Sequence, residues 1–236
     1  MKQGKLYLIP VPLGPSDISQ VLPTAVIETS RQLSCFVAEN AKSARAFLKQ
    51  LPSQHVLQEI VIRELNEHTA TTELESLLGP LLKGQDVGLI SEAGCPAVAD
   101  PGAALVALAH ERNIEVVPFV GPSSILLALM GSGLSGQNFA FHGYLPAKTE
   151  LRKTRIAELE KDSRRNSRTQ IFIETPYRNQ QMLESLVGLC APETRLCVAT
   201  DLTLDSQQIV TLSIKQWRSN PPTTLDRRPT VFLLQA

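Results

Sequence analysis

Residues 84–133 constrain the fold most, because they repeat one pattern twice: an apolar run, a loop of small residues, then helical spacing. Val87-Gly88-Leu89-Ile90 has the length and bounding of a buried strand. The loop 91–102 follows, holding Gly94, Gly102, Pro96, Pro101, Glu92 and Asp100, and then Ala104, Leu105, Leu108 and Ala109 at helical spacing. Val116 to Val120 is a second run, broken by Gly121-Pro122, after which Ser123-Ser124 opens an apolar helix over 125–130. Strands alternating with helices predict parallel pairing, with loops gathered at the carboxyl ends of the strands. That edge is where open α/β sheets bind ligands. Small residues there let a ligand approach the backbone, and helix amino ends present free N–H groups. The simpler reading is that glycine and proline only punctuate turns. Two such loops in succession favour a ligand cleft.

The chain has 236 residues, 43% hydrophobic and 19% charged, which is ordinary for a soluble globular protein of one large or two smaller domains. Formal net charge is zero, so any nucleic-acid surface must be a local patch. Cys35, Cys95, Cys190 and Cys197 form no C-x-x-C pair and have no histidine at metal-ligand spacing. Free thiols in a reducing cytoplasm, and no metal, are expected. Lys2 and Lys5 precede only a short apolar run ending at Pro10, which does not read as a signal peptide. No stretch approaches the roughly 20 apolar residues of a membrane helix.

From the amino end, residues 5–9 read as a first strand stopped by Pro10, with the turn Pro10-Val11-Pro12-Leu13-Gly14 after it. A helix is predicted over 19–30, with Pro23 near its start, and a strand over 33–38. An amphipathic helix follows over 41–51, carrying Ala44, Phe47, Leu48 and Leu51 on one face. A short strand falls within 56–65. The segment 71–82 reads as one helix with Leu74, Leu77, Leu78 and Leu81 as its core stripe, stopped at Lys83-Gly84. Further strands are predicted over 138–146, 169–174, 195–200, 209–214 and 229–234, and a helix over 182–189. Residues 152–168 hold seven basic residues against three acids. They are either a solvated helix face with ion pairs or a phosphate-contacting surface in which Arg164 and Arg165 lead. Glu174 and Arg178 at a strand end are either substrate contacts or an ion pair with each other.

Several of these stretches resemble one family. SEAGCPAVADPG is similar to the S-D-A-G-T-P-G-I-S-D-P-G loop of the ribosomal small-subunit methyltransferase I family, within the tetrapyrrole methylase superfamily. VPFVGPSS resembles its V-P-x-P-G-P-S-A, and Glu174, Pro176 and Arg178 match its E-S-P-H-R, with Tyr177 in place of histidine. The resemblance implies two α/β domains, 1–121 with a mostly parallel sheet and 122–236 with a mixed one, and a cleft for S-adenosyl-L-methionine between them. It implies cofactor contacts at Leu13, Cys95, Val98, Ser123, Ser124, Ile173 and Ala199. It also implies 16S rRNA as acceptor, through ribose 2′-O-methylation, and a homodimer. No dinucleotide, P-loop, nucleophile-elbow or zinc-protease motif competes.

Methyl transfer to a hydroxyl needs positioning and a proton acceptor. Glu174 and Glu39 are the candidates, with Asp100 a third; Arg178, Arg164 and Arg165 are the candidate substrate contacts. Two departures from the family stand out. Asn40-Ala41-Lys42 replaces D-T-R after Glu39, and Leu204 replaces the lysine of E-L-T-K. His68 lies near the family's H-N-E segment and is a candidate for orienting substrate. Three readings follow: an rRNA methyltransferase, a methyltransferase of a tetrapyrrole or other small molecule, or a cofactor-binding paralogue without catalysis.

Overall fold

In the computed structural model, which describes residues 2–51, 54–66, 69–220, 224–225 and 227–236, the chain divides into two compact units, 1–123 and 124–236. His68 lies outside the described residues. The first unit runs β1 (Leu6–Ile9), α1 (Ile18–Val21), α2 (Thr24–Gln32), β2 (Cys35–Ala38), α3 (Ala41–Leu48), β3 (Val61–Glu64), α4 (Thr71–Leu77), α5 (Gly79–Leu82), β4 (Val87–Ile90), α6 (Gly102–Glu111) and β5 (Val116–Pro118). Its five strands are ordered β3-β2-β4-β1-β5, and every pairing is parallel.

This sheet is apolar on both faces, which explains why its strands read as continuous runs. Successive side chains of β2 go to opposite sides. Cys35 and Val37 join a core with Leu6, Val87 and Leu89; Phe36 and Ala38 join another with Ile9, Phe47 and Ile90. Gly88 sits in β4 where Phe36 already fills the space: an added Cβ would come within 2.6 Å of Phe36 Cδ1.

Two helices expected as single elements are split. The segment predicted over 19–30 breaks at Leu22-Pro23, because proline lacks the N–H and its ring crowds the preceding turn. Pro23 instead stands at the N-cap of α2. The helix predicted over 71–82 becomes α4 and α5, meeting at Gly79-Pro80, with proline in the first turn of the second piece. Leu77, Leu78 and Leu81 are buried as the stripe predicts. α3 stops at Leu48 rather than Leu51, although Leu51 stays buried.

The second unit runs α7 (Ser124–Ser132), β6 (Phe139–Tyr144), α8 (Thr149–Asn166), β7 (Thr169–Ile173), a 3₁₀ turn (Pro176–Arg178), α9 (Asn179–Leu189), β8 (Arg195–Thr200), β9 (Gln208–Ser213), α10 (Ile214–Ser219) and β10 (Thr230–Gln235). The sheet order is β6-β7-β10-β8-β9; β6 and β7 are parallel and the other pairs antiparallel. Its core packs Ile156 and Leu159 of α8, Met182 and Leu186 of α9, and Trp217 of α10 against Phe172 and Phe232. Mixed α/β architecture with a parallel first sheet is the fold class expected from the sequence. Among the described residues no helix is long and apolar enough to cross a membrane.

Candidate functional site

The parallel sheet puts the carboxyl ends of its neighbouring strands β4, β1 and β5 side by side, and the loops that leave them are stitched together. Val11 and Gly94 exchange both backbone hydrogen bonds, at 2.9 and 3.1 Å. Ser91 Oγ donates to the Gly94 carbonyl at 3.1 Å. The Cys95 thiol donates to the Pro122 carbonyl at 3.4 Å. Gly94 has φ +73°, and a Cβ there would lie 3.2 Å from Leu13 Cδ2 and 3.4 Å from the Pro122 carbonyl oxygen. A side chain at 94 would therefore occupy the point where all three loops meet.

Of the candidate residues in the first unit, Leu13 touches this junction, Cys95 bonds across it, Ser123 follows Pro122 directly, and Val98 is 51% exposed on the β4 loop. The loop carries strain of the kind that collects at binding sites, with Ala97 and Ala99 at φ 64° and 56°. Burial raises the Cys95 thiol pKa, so the group acts as a small weak donor rather than a thiolate.

The acids separate clearly. Asp100 Oδ1 accepts from Ala97 N–H at 3.0 Å and Gly102 N–H at 2.7 Å, so its carboxylate holds the loop and opens α6. Glu39 is half-buried at the carboxyl end of β2, the neighbour of β4. Asn40 caps α3 by accepting from Lys42 and Ser43 N–H. The departure from aspartate at position 40 thus keeps a helix cap.

In the second unit, Ile173 of β7 and Ala199 of β8 both pair with Val231 of β10, from opposite sides. The strand order therefore brings these distant candidates into one row. Ser124 is the first residue of α7. Glu174 is buried with Arg178 as its partner: Oε1 accepts from Arg178 Nη2 at 2.6 Å and Nε at 2.9 Å, and from Thr175 N–H at 2.6 Å. The structure contains the ion pair between them. Four donors thus meet on one oxygen of a carboxylate with none of its side chain exposed, so the group is enclosed by its own loop and by Arg178.

The basic segment needs one correction. Arg152 is 1% exposed and donates to the Ala147 carbonyl and Ser185 Oγ, so it braces the start of α8 rather than charging its surface. Lys153 and Arg155 pair with Glu150 and Glu158. Arg164 and Arg165 are exposed on a groove lined also by Ala157, Glu160 and Lys161. They sit at the end of α8 that leads into β7, whereas Arg178 follows the other end of that strand. Of the three candidate substrate contacts, Arg164 and Arg165 therefore lie at one end of β7 and Arg178 at the other.

Sequence reasoning missed Arg228. Its guanidinium donates to Asp201 Oδ2 at 2.8 Å, to the Ser206 carbonyl at 2.6 Å and to Gln208 Oε1 at 3.0 Å. It thus clamps the loop after β8 that contains Leu204. The two partners are 27 residues apart and meet only through the β8–β10 pairing, so no local pattern announces them. Among the described residues no cluster of His, Cys, Asp and Glu suits a metal ion.

Comparison with known proteins gives a consistent result. A family model of tetrapyrrole (corrin/porphyrin) methylases matches residues 5–217. The ribosomal RNA small subunit methyltransferase I of Escherichia coli O157:H7 is 32% identical over 202 residues, covering 85% of this chain and 66% of the relative. The protein of that name from Synechocystis sp. is 34% identical over 205 residues, covering 87% and 69%. The chain spans about two thirds of the length of these curated relatives. Among solved structures, the methyltransferase CobJ superposes with a TM-score of 0.63 at 16% identity, covering 98% of this chain and 94% of that one. A cobalt precorrin-4 methyltransferase gives 0.58 at 13% identity, with 98% and 94% covered. At such identities these structures show the fold alone.

Proposed function

Because the chain belongs to the tetrapyrrole (corrin/porphyrin) methylase family, we propose that it is an S-adenosyl-L-methionine-dependent methyltransferase acting on ribosomal RNA. In this reading it works as a cytoplasmic homodimer that methylates a ribose 2′-hydroxyl of 16S rRNA. The observation that carries the cofactor assignment is the Gly94 junction. Its loops, 10–14, 91–101 and 119–123, contain no lysine or arginine. They offer backbone polar groups, small residues and the apolar Leu13 and Val98. Such a lining suits a ligand without phosphate, which needs neither a basic cradle nor a phosphate nest.

Bound there, S-adenosyl-L-methionine would supply a sulfonium methyl group. The chain's own part is to position and to take a proton. Gly94 and Pro122 hold the loops open to a ligand at backbone level. Asp100 keeps the 97–102 turn in shape, and Cys95 ties the β4 loop to the β5 loop. We assign the proton acceptor to Glu39, because β2 ends beside β4 at the same edge of the parallel sheet as the Gly94 junction. The rRNA acceptor rests on the two relatives at 32% and 34% identity, both named for that activity.

Calorimetric titration with S-adenosylhomocysteine tests the cofactor site. The parent protein is expected to bind, and Ser123→Trp, which puts a large ring beside the junction, to bind at least about tenfold more weakly, a difference of about 1.4 kcal/mol. A folded parent that binds neither the cofactor nor its product would refute the assignment.

A further inference from the structure

The carboxyl edge of the second sheet has a character of its own. β6 and β7 run parallel, so both end there, and Tyr144, the last residue of β6, pairs with Ile173, the last of β7. Tyr144 is 61% exposed, and Tyr177, in the turn that follows β7, is 72% exposed. Aromatic side chains of this size usually contribute to cores or interfaces. Here two of the chain's three tyrosines are left in solvent at one edge.

A fixed cation accompanies them. The Arg178 Cζ lies 5.4 Å from the centroid of the Tyr177 ring. Glu174 holds that guanidinium from beneath with a side chain closed to solvent. The hydrogen bond to Glu174 raises the Arg178 pKa first of all, and the guanidinium also feels the hydroxyls of Tyr177 and Tyr144, which places both rings in its neighbourhood. Among the described residues, three buried side-chain polar atoms have no hydrogen-bond partner: Glu174 Oε2, Asn179 Oδ1 and Thr203 Oγ1. All three belong to the segments that follow β7 and β8 at this same edge. Asp201 and Thr203 there also take φ of 49° and 73°, unusual for residues with a Cβ and strained for a β-branched one.

Exposed ring faces beside an immobilised guanidinium suit one kind of ligand above others: a flat π-system on an anionic backbone. Unpaired bases are bound in this way, stacked on aromatic or guanidinium planes with a cation near the phosphates. A paired duplex hides its base faces and cannot use such a surface. We propose that Tyr144 and Tyr177, with Arg178 between phosphate and ring, form a stacking site for an unpaired base of the RNA that accepts the methyl group. Glu174 serves as a positioning residue that holds the arginine. This rests on the rRNA reading above and adds where the strand is gripped and in what form. Tyr177 stands where the family pattern has histidine, and both side chains are flat rings able to stack on a base.

The test uses the full chain and a labelled single-stranded RNA of about ten nucleotides, compared with the same strand annealed to its complement. The parent is expected to prefer the single strand. Tyr144→Ala and Tyr177→Ala should each weaken single-strand binding roughly 5- to 100-fold, while Tyr177→His keeps most of the affinity. All three variants should bind S-adenosylhomocysteine as the parent does, and their melting should be unchanged because both rings are exposed. Parent-like RNA affinity in both alanine variants, or equal losses for duplex and single strand, would overturn the stacking site and leave the rRNA reading standing. A parent that binds S-adenosylhomocysteine but neither form of RNA would instead bring down the rRNA reading and the stacking site with it.

Discussion

Gly94→Val is expected to weaken S-adenosylhomocysteine binding by at least about a hundredfold, or about 2.7 kcal/mol. Gly94 takes φ +73°, a region that a β-branched residue enters only at a penalty of roughly 1–3 kcal/mol. Its backbone is bonded to Val11 in both directions, so it cannot relax without breaking that bridge. An added Cβ already stands 3.2 Å from Leu13 and 3.4 Å from the Pro122 carbonyl, and the valine methyl groups reach further. The substitution therefore has to push apart the loops that follow β1, β4 and β5. Calorimetry gives the affinity, and a melting curve shows how much of the loss is stability. Unchanged affinity in a folded Gly94→Val protein would mean that the junction is not where the ligand binds.

Phe232→Ala is expected to destabilise the second unit by about 4 kcal/mol, near the middle of the range for phenylalanine truncation in a core. Phe232 is fully buried in β10, the central strand of its sheet, and stacks on Phe172 with centroids 5.8 Å apart. Such a pair adds roughly 0.5–1.5 kcal/mol beyond area burial. The readout is convenient, because the only tryptophan of the chain, Trp217, belongs to the same core. Its indole N–H donates to the Leu196 carbonyl of β8. Urea unfolding followed by Trp217 fluorescence should show a much lower midpoint. A loss under about 1 kcal/mol would contradict the packing described for this unit.

What the sequence made legible was the first sheet and its loops. Continuous runs such as Val87–Ile90, short and separated by helical spacing, have the pattern of parallel strands covered on both faces. Once the strands are parallel, the small-residue loops must share an edge. The splits at Pro23 and at Gly79-Pro80 are local too, because proline's missing N–H and its ring outweigh the apolar periodicity there. Other features were not local at all. The burial of Arg152 depends on α9 supplying Ser185, and a charged residue in a basic run looks the same whether it faces water or a core. Arg228 meets Asp201 only because β10 inserts between β7 and β8. The separation of Arg164 and Arg165 from Arg178 follows from the direction of β7, which composition does not reveal. Tyr177 stands out in the sequence only as a departure from the family pattern, and Tyr144 joins it on one edge through the parallel pairing of β6 with β7.

Transfer of labelled methyl from S-adenosyl-L-methionine to unmodified 16S rRNA, followed by digestion to nucleosides, tests the central claim most directly. The account predicts label in a 2′-O-methylated nucleoside, with transfer at least about tenfold slower in Glu39→Gln and cofactor affinity kept, as loss of general-base catalysis requires. Label appearing on a porphyrinoid and not on RNA, or no transfer at all by a protein that binds the cofactor, would contradict it.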